Sequence, residues 1–114
     1  MTQEQLNKII ENHQHYLNKD IDGWESMRAD LSYKNLSGLN LRNANLREAK
    51  LSSANIRDAD FREANLSNAD LRNAILRNVD LREADLTEAD LRNADLREAD
   101  MYGAYCCYAN LNGV

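Results

Sequence analysis

The side chains that could carry out acid–base or nucleophilic chemistry are few and far apart along the chain. His13 and His15 lie near one end, and Cys106 and Cys107 lie near the other. Catalysis needs such groups within hydrogen-bond reach of one another. No Ser/His/Asp or Cys/His set can be assembled, and the cysteines have no partners at metal-ligand spacing. We therefore expect no enzyme activity, no metal site, no cofactor and reduced thiols.

Carboxylates are abundant, but their setting argues against catalysis as well. The chain has nineteen Asp and Glu residues, fourteen Lys and Arg residues, and a formal net charge of −5. Acidic and basic residues alternate along most of the length, which is typical of a solvated, self-neutralising surface rather than a pocket that shifts pKa values. The mildly acidic balance also argues against direct binding to nucleic acid.

The elements that must position these residues follow a period of five. Every fifth residue from Leu31 to Leu111 is apolar, or a thiol at Cys106, and Ala usually stands two positions earlier, with Asp or Asn between them. Helices repeat near 3.6 residues and strands near 2, so a period of five means that each pentad bends the chain by a constant angle. The pattern predicts a slender coil of repeats with a narrow core of Leu and Ala.

This pattern, A-(D/N)-L-x-x, resembles that of the pentapeptide repeat family. It is seen in Ala44–Glu48, Ala84–Glu88 and Ala94–Glu98, and it continues from Ala29 to Gly113 without an insertion. The resemblance implies an all-β solenoid: a right-handed quadrilateral parallel β-helix of about four coils, with four pentads per coil. Residues twenty apart would then stack. The Asp and Asn side chains before each central Leu are expected to bond nearby backbone.

Residues 1–28 are predicted to form a separate N-terminal cap, with residues 29–114 forming the β-helix. Thr2 and Gln5 make a capping-box pattern, and an apolar stripe indicates an amphipathic α-helix over residues 2 to about 17. Such a helix would cover the open end of the first coil. We expect His13 to be a packing residue rather than a base. The predicted contacts of the cap are Leu6, Ile9, Ile10, His13, Leu17 and Trp24.

The last coil differs from the others because aromatic residues replace charged ones. Aromatic residues are enriched and charges depleted at the centres of protein interfaces. We predict a head-to-head homodimer through this coil; the alternative is that the aromatic coil closes the rod alone. The predicted interface residues are Met101, Tyr102, Tyr105, Cys106, Cys107, Tyr108 and Leu111.

One lateral position interrupts the polar surface. Ile75 stands where Asp or Asn is the rule, and the arginines Arg57, Arg77 and Arg97 fall in one column beside it if residues twenty apart stack. We predict that these residues contact a protein partner; the alternative is a single exposed apolar residue of no consequence.

These observations favour a non-enzymatic structural or protein-interaction module that has no contact with a membrane. The sequence lacks a secretory signal pattern and an apolar run long enough for a membrane span, so we expect a cytoplasmic protein. The resemblance implies an alternative, because some pentapeptide repeat proteins mimic DNA and bind type II topoisomerases. The balance of Asp with Arg and the absence of insertions favour the interaction module.

Overall fold

The computed structural model describes residues 1–114. It begins with helix α1 (Gln3–Asn18) and a short 3-10 helix (Trp24–Met27). The remaining chain has no continuous strand, because each pentad contributes a single bridging residue and then a turn. Parallel bridges join residues twenty apart, from Asp30 with Lys50 to Asp90 with Asn110. The predicted four-sided β-helix with four pentads per coil is therefore confirmed.

Each pentad is held by one backbone bond within its turn and by others to the adjacent coils. The Ala49 N–H donates to the Leu46 carbonyl at 2.9 Å, which closes a turn. The Leu46 N–H donates to the Asn65 carbonyl at 2.8 Å, and the Asn65 N–H donates to the Ala44 carbonyl at 2.9 Å. Because the same bonds recur in successive pentads, the chain turns a corner every five residues.

The second residue after each central apolar residue has a positive φ, as at Glu48 (66°) and Tyr33 (63°). This left-handed conformation suits Gly and Asn and strains most other residues. The sequence pattern did not single out this position, because Glu, Asn, Gly, Ser, Asp and Tyr all occur there.

Asp and Asn before the central residue bond the backbone as expected. The Asp60 Oδ1 accepts the Arg62 N–H at 3.0 Å, and the same bond two residues onward forms at every Asp or Asn in this position. This bond orients the chain as it enters each turn.

The core is a column of apolar side chains inside the coils. The central residues from Leu31 to Leu91 are buried, as are most of the inward Ala residues. Val79 replaces Ala without leaving the core, whereas Lys34 is exposed and Leu39 is half-buried in the irregular first coil. The interior is completely filled by one large and one small side chain per pentad.

Helix α1 begins and ends close to the predicted positions. Thr2 Oγ1 accepts the Gln5 N–H at 3.1 Å and Gln5 Oε1 accepts the Thr2 N–H at 2.9 Å, so the capping box forms. Lys19 ends the helix in the left-handed conformation. No helix of the chain combines the length and the apolar character needed to span a bilayer.

Candidate interaction surfaces

The apolar side of α1 lies on the first coil. Leu6 is fully buried, and Ile9 and Ile10 are half-buried against the core of the β-helix. Leu17 and Trp24 are half-buried but lie outside that core. The Trp24 ring instead packs 6.0 Å from the ring of Tyr16, measured between centroids, so the 3-10 helix is held to α1.

Side chains of α1 also bond the open backbone edge of the first coil. Gln3 Nε2 donates to the Asn40 carbonyl at 2.8 Å, and Gln3 Oε1 accepts the Asn40 N–H at 2.8 Å. Gln14 Nε2 donates to the Asn45 carbonyl at 3.0 Å. A carboxamide carries the same donor and acceptor as a peptide group, so Gln3 takes the place of a neighbouring strand. Sequence reasoning missed both glutamines, because glutamine on a helix usually faces solvent.

His13 is fully buried between α1 and the first coil. Its Nδ1 accepts the Ala29 N–H at 2.9 Å, and its Nε2 lies 2.8 Å from the Arg47 carbonyl. A backbone N–H can only donate and a carbonyl can only accept, so the ring is the neutral tautomer with the proton on Nε2. Burial lowers the pKa of His13, although its bond to the Arg47 carbonyl opposes that shift. His13 therefore joins the cap to the coil in addition to packing.

The sides of the β-helix carry ion pairs that form within single pentads. Arg62 Nε donates to Asp60 Oδ1 at 2.9 Å, and Arg62 Nη2 donates to Asp60 Oδ2 at 2.7 Å. We call this bidentate ion pair, between an arginine and the carboxylate two residues earlier, a fork. It repeats at Asp70–Arg72, Asp80–Arg82, Asp90–Arg92 and Asp95–Arg97. The bonds from Arg62 lower the pKa of Asp60 to about 2. The forks thereby neutralise five carboxylates and five arginines of the lateral surface locally.

Two arginines of the column beside Ile75 have no carboxylate two residues earlier with which to form a fork. Asn55 precedes Arg57 and Ile75 precedes Arg77, so neither arginine forms an ion pair. Ile75 itself is half-buried. The structure therefore distinguishes the predicted partner-contact residues: Arg57 and Arg77 are unpaired, whereas Arg97 is held by its own fork.

A shallow polar groove of about 250 Å³ runs beside these two arginines. Asn78 Nδ2 donates to Asp58 Oδ1 at 2.7 Å across the groove. Its lining residues are Arg57, Asp58, Arg77, Asn78 and Glu98. The groove is open and lacks apolar lining, so it offers a contact surface rather than an enclosed binding site.

The last coil presents aromatic side chains around a partly covered core. Tyr102, Tyr105 and Tyr108 are 80%, 65% and 88% exposed, and they point outward from two adjacent sides without ring contacts to one another. Met101 and Cys106 are half-buried against the core. Of the other predicted interface residues, Cys107 is exposed and Leu111 is 44% exposed. Burial raises the pKa of the Cys106 thiol.

These features define the class of protein. A chain that turns a corner every five residues and bonds to itself at a step of twenty is a right-handed quadrilateral β-helix. The family model for pentapeptide repeats (8 copies) matches residues 27–63 and 64–103. The chain belongs to the pentapeptide repeat family.

Two solved structures illustrate the similarity. HetL, a pentapeptide repeat protein involved in heterocyst differentiation regulation in the cyanobacterium Nostoc, is 41% identical, with a TM-score of 0.71 over 72% of this chain and 38% of its own. A trypsin-treated variant of QnrB1, a plasmid-mediated fluoroquinolone resistance protein, is 28% identical, with a TM-score of 0.62 over 70% of this chain and 42% of its own. The chain thus spans less than half the length of either protein. No curated protein matches this sequence.

Proposed function

We propose that this chain is a cytoplasmic protein-interaction module rather than an enzyme. The observation that carries this proposal is the contrast between the sides of the β-helix, where forks pair five carboxylates with arginines, and its last coil, where three exposed tyrosines lie beside a half-buried apolar centre. Tyrosine supplies large contact area at low entropic cost and is enriched at interfaces. The filled interior supports the same reading, because it leaves no room for a substrate.

The proposed partner at this end is a second copy of the chain. A two-fold contact would bring Met101 and Cys106 of each copy together, with the tyrosines on the rim. The backbone supports this arrangement, because the N–H groups of Leu96, Met101 and Cys106 donate to no group within the chain. Backbone groups of a second copy can accept these bonds.

Analytical ultracentrifugation at tens of micromolar tests the homodimer. We expect a dimer for the wild type and a monomer for Tyr105→Arg, because each copy would place a like charge in the self-complementary contact. Tyr33→Arg is the matched control, since Tyr33 is also exposed, at 81% against 65% for Tyr105, but lies in the first coil. A monomeric wild type, or an equal loss of dimer in both variants, would overturn the homodimer.

We propose that Ile75 and the unpaired Arg57 and Arg77 contact a different protein partner. The support is local: both arginines lack the fork that neutralises Arg97 in the same column, and they lie next to an apolar residue. Arg97 completes this column, although its guanidinium already binds Asp95. A partner that supplies a carboxylate would replace the fork that each unpaired arginine lacks.

A second candidate function follows from the similarity to the fluoroquinolone resistance protein QnrB1. It is that this chain binds a type II topoisomerase as a DNA mimic. The stacked carboxylates of Asp60, Asp80 and Asp100 support it, but Arg62 and Arg82 neutralise the first two. A gyrase supercoiling assay with and without a fluoroquinolone separates the two functions. We expect no inhibition and no protection; either effect would favour the topoisomerase.

A further inference from the structure

The first coil ends in a strand-pairing edge that α1 covers with side chains rather than with a strand. In the coil above, the Asp60 N–H donates to the Leu39 carbonyl and the Asp60 carbonyl accepts the Leu41 N–H. The equivalent groups of Asn40, one coil earlier, are both bonded by Gln3. Helix α1 therefore substitutes for a missing coil on this side.

The cover is incomplete. The backbone N–H and carbonyl groups of Asp30 and Asn35, on the other two sides of the first coil, have no partner within the chain. Asn40 and Asn45 occupy the equivalent positions on the two sides that α1 covers. If α1 were removed, all four sides of the coil would present unpaired backbone groups.

We propose that α1 is a detachable cover, that protonation of His13 releases it, and that the uncovered edge then pairs with the same edge of a second copy. This proposal is independent of the tyrosine contact, because it uses the opposite end of the β-helix. It assigns to α1 a regulatory role in addition to its packing role.

The release of α1 depends on His13, because both of its ring nitrogens form hydrogen bonds to the backbone of the first coil. A proton on Nδ1 would face the Ala29 N–H, so two donors would meet and the bond at 2.9 Å would be lost. The ring is fully buried, which opposes a charged imidazolium. Release of α1 from the first coil returns the ring to water, where it accepts a proton freely.

The charged surroundings of His13 act in the same direction. This holds for Arg28, just before the first coil, and for Arg47, in it, which oppose a positive ring; Glu48 acts against them and favours one. Tyr16 of α1 stacks on the ring at 5.5 Å between centroids. The docked ring has a pKa below the usual value of about 6.5. The His13 bonds therefore contribute fully to the stability of docked α1 above that pH. Below it, the docking equilibrium weakens by about tenfold per pH unit until the docked ring also titrates.

A second copy is the partner that matches this edge. An extended peptide can pair with one side of a square coil, whereas another square coil can pair with several sides at once. The carboxamide of Gln3 already occupies the position that a peptide group of the second copy would take. The Asp60 and Asp95 carboxylates of the β-helix stay ionised in the range where His13 titrates, since their pKa values are about 2.

Ultracentrifugation and the fluorescence of Trp24, the only tryptophan, test the proposal at about pH 7.5 and about pH 5. We expect Tyr105→Arg, which lacks the tyrosine contact, to double its mass at the lower pH, the wild type to assemble beyond a dimer, and the Trp24 emission to change in both. His13→Gln keeps a donor and an acceptor but cannot titrate, so both readouts should stay constant. His15→Gln is the matched control: His15 lies on the same helix, partly exposed beside Asp20, and this variant should behave as the wild type.

Amide exchange provides a readout that does not depend on a variant. The protection of the Asn40 N–H, which bonds α1, should fall by up to about thirtyfold between the two pH values, while that of the Asn65 N–H within the β-helix stays constant. Unchanged Asn40 protection, or a wild-type response in His13→Gln, would overturn the switch. Release without an increase in mass would overturn the second copy as partner. Tyr105→Arg should retain the acid-induced doubling, which separates this proposal from the tyrosine dimer.

Discussion

At the scale of single residues, this fold is governed by the turn position with positive φ. Glu, Ser, Asp and Tyr accept the left-handed conformation there because neighbouring coils bond the backbone on both sides of the turn. The cost for such residues is about 1–2 kcal/mol relative to the right-handed region. Most pentads therefore carry a small strain that the regular ladder of hydrogen bonds offsets.

Glu88 provides a clean test of this strain. Its φ is 59°, its side chain is exposed, and it forms no ion pair. Glu88→Asn should leave stability unchanged or raise it slightly, because Asn tolerates positive φ. Glu88→Val should cost about 1–2 kcal/mol, because a branched Cβ is disfavoured there. Urea unfolding measures both variants, and equal stability of the two would contradict the explanation.

Ile75 tests whether the Asp–Arg fork depends only on local sequence. We expect Ile75→Asp to bind Arg77 as Asp95 binds Arg97, to change the free energy of unfolding by less than about 1 kcal/mol, and to abolish the proposed partner contact. Ile75→Asn is the control, since Asn can bond the Arg77 N–H but cannot form the ion pair. Urea unfolding together with an NMR titration of the new carboxyl is the measurement. A pKa of that carboxyl at or above its usual value would contradict the prediction.

At the scale of elements, α1 is held by one fully buried apolar side chain and by polar bonds to the coil edge. Leu6 enters the core, whereas Leu17, on the same predicted stripe, lies outside it. Docking therefore depends on Leu6 and on the polar contacts of Gln3, His13 and Gln14.

The paired substitutions Leu6→Ala and Leu17→Ala test this distribution. Leu6→Ala should cost about 2–5 kcal/mol of cap stability, because it leaves a cavity in a filled core. Leu17→Ala should cost less than about 1 kcal/mol. Trp24 fluorescence during urea unfolding reports on both, and similar losses would show that the cap packs differently.

At the scale of the whole molecule, the cap and the β-helix respond to acid through different groups. The cap depends on neutral His13, while the β-helix depends on carboxylates whose pKa values are lowered by arginine forks. A lowered carboxyl pKa stabilises the folded state above the unfolded value of about 3.9 and loses that effect as pH falls through the folded value. The two parts should therefore lose stability in separate pH ranges.

An acid titration measures this separation. We expect Trp24 fluorescence to change first, below about pH 6.5, and the far-ultraviolet circular dichroism of the β-helix to persist until about pH 2–4. High salt should shift the second transition upward, because it screens the exposed ion pairs. A single transition seen by both probes would show that cap and β-helix unfold as one unit.

Much of the architecture was predictable because it is local. A period of five places its apolar residues in one inward column, and the Asp or Asn before each of them bonds the backbone two residues onward, so the core followed from spacing, while the coil length of four pentads followed from the family resemblance. The capping box likewise located the start of α1. The candidate surfaces were less predictable: the tyrosines were identified by type, but their divergence onto two sides was not.

By itself the sequence determined the repeat, the apolar column and the presence of a cap, since each depends on residues within a few positions; the four-sided coil and its step of twenty came from the resemblance to pentapeptide repeat proteins. Only the tertiary structure decided which polar side chains complete the first coil. Gln3, His13 and Gln14 meet Asn40, Ala29, Arg47 and Asn45 across long sequence separations that carry no period. These bonds form because no coil precedes the first one. Backbone N–H and carbonyl groups at its edge therefore take hydrogen-bond partners from the helix that the folded chain places over them.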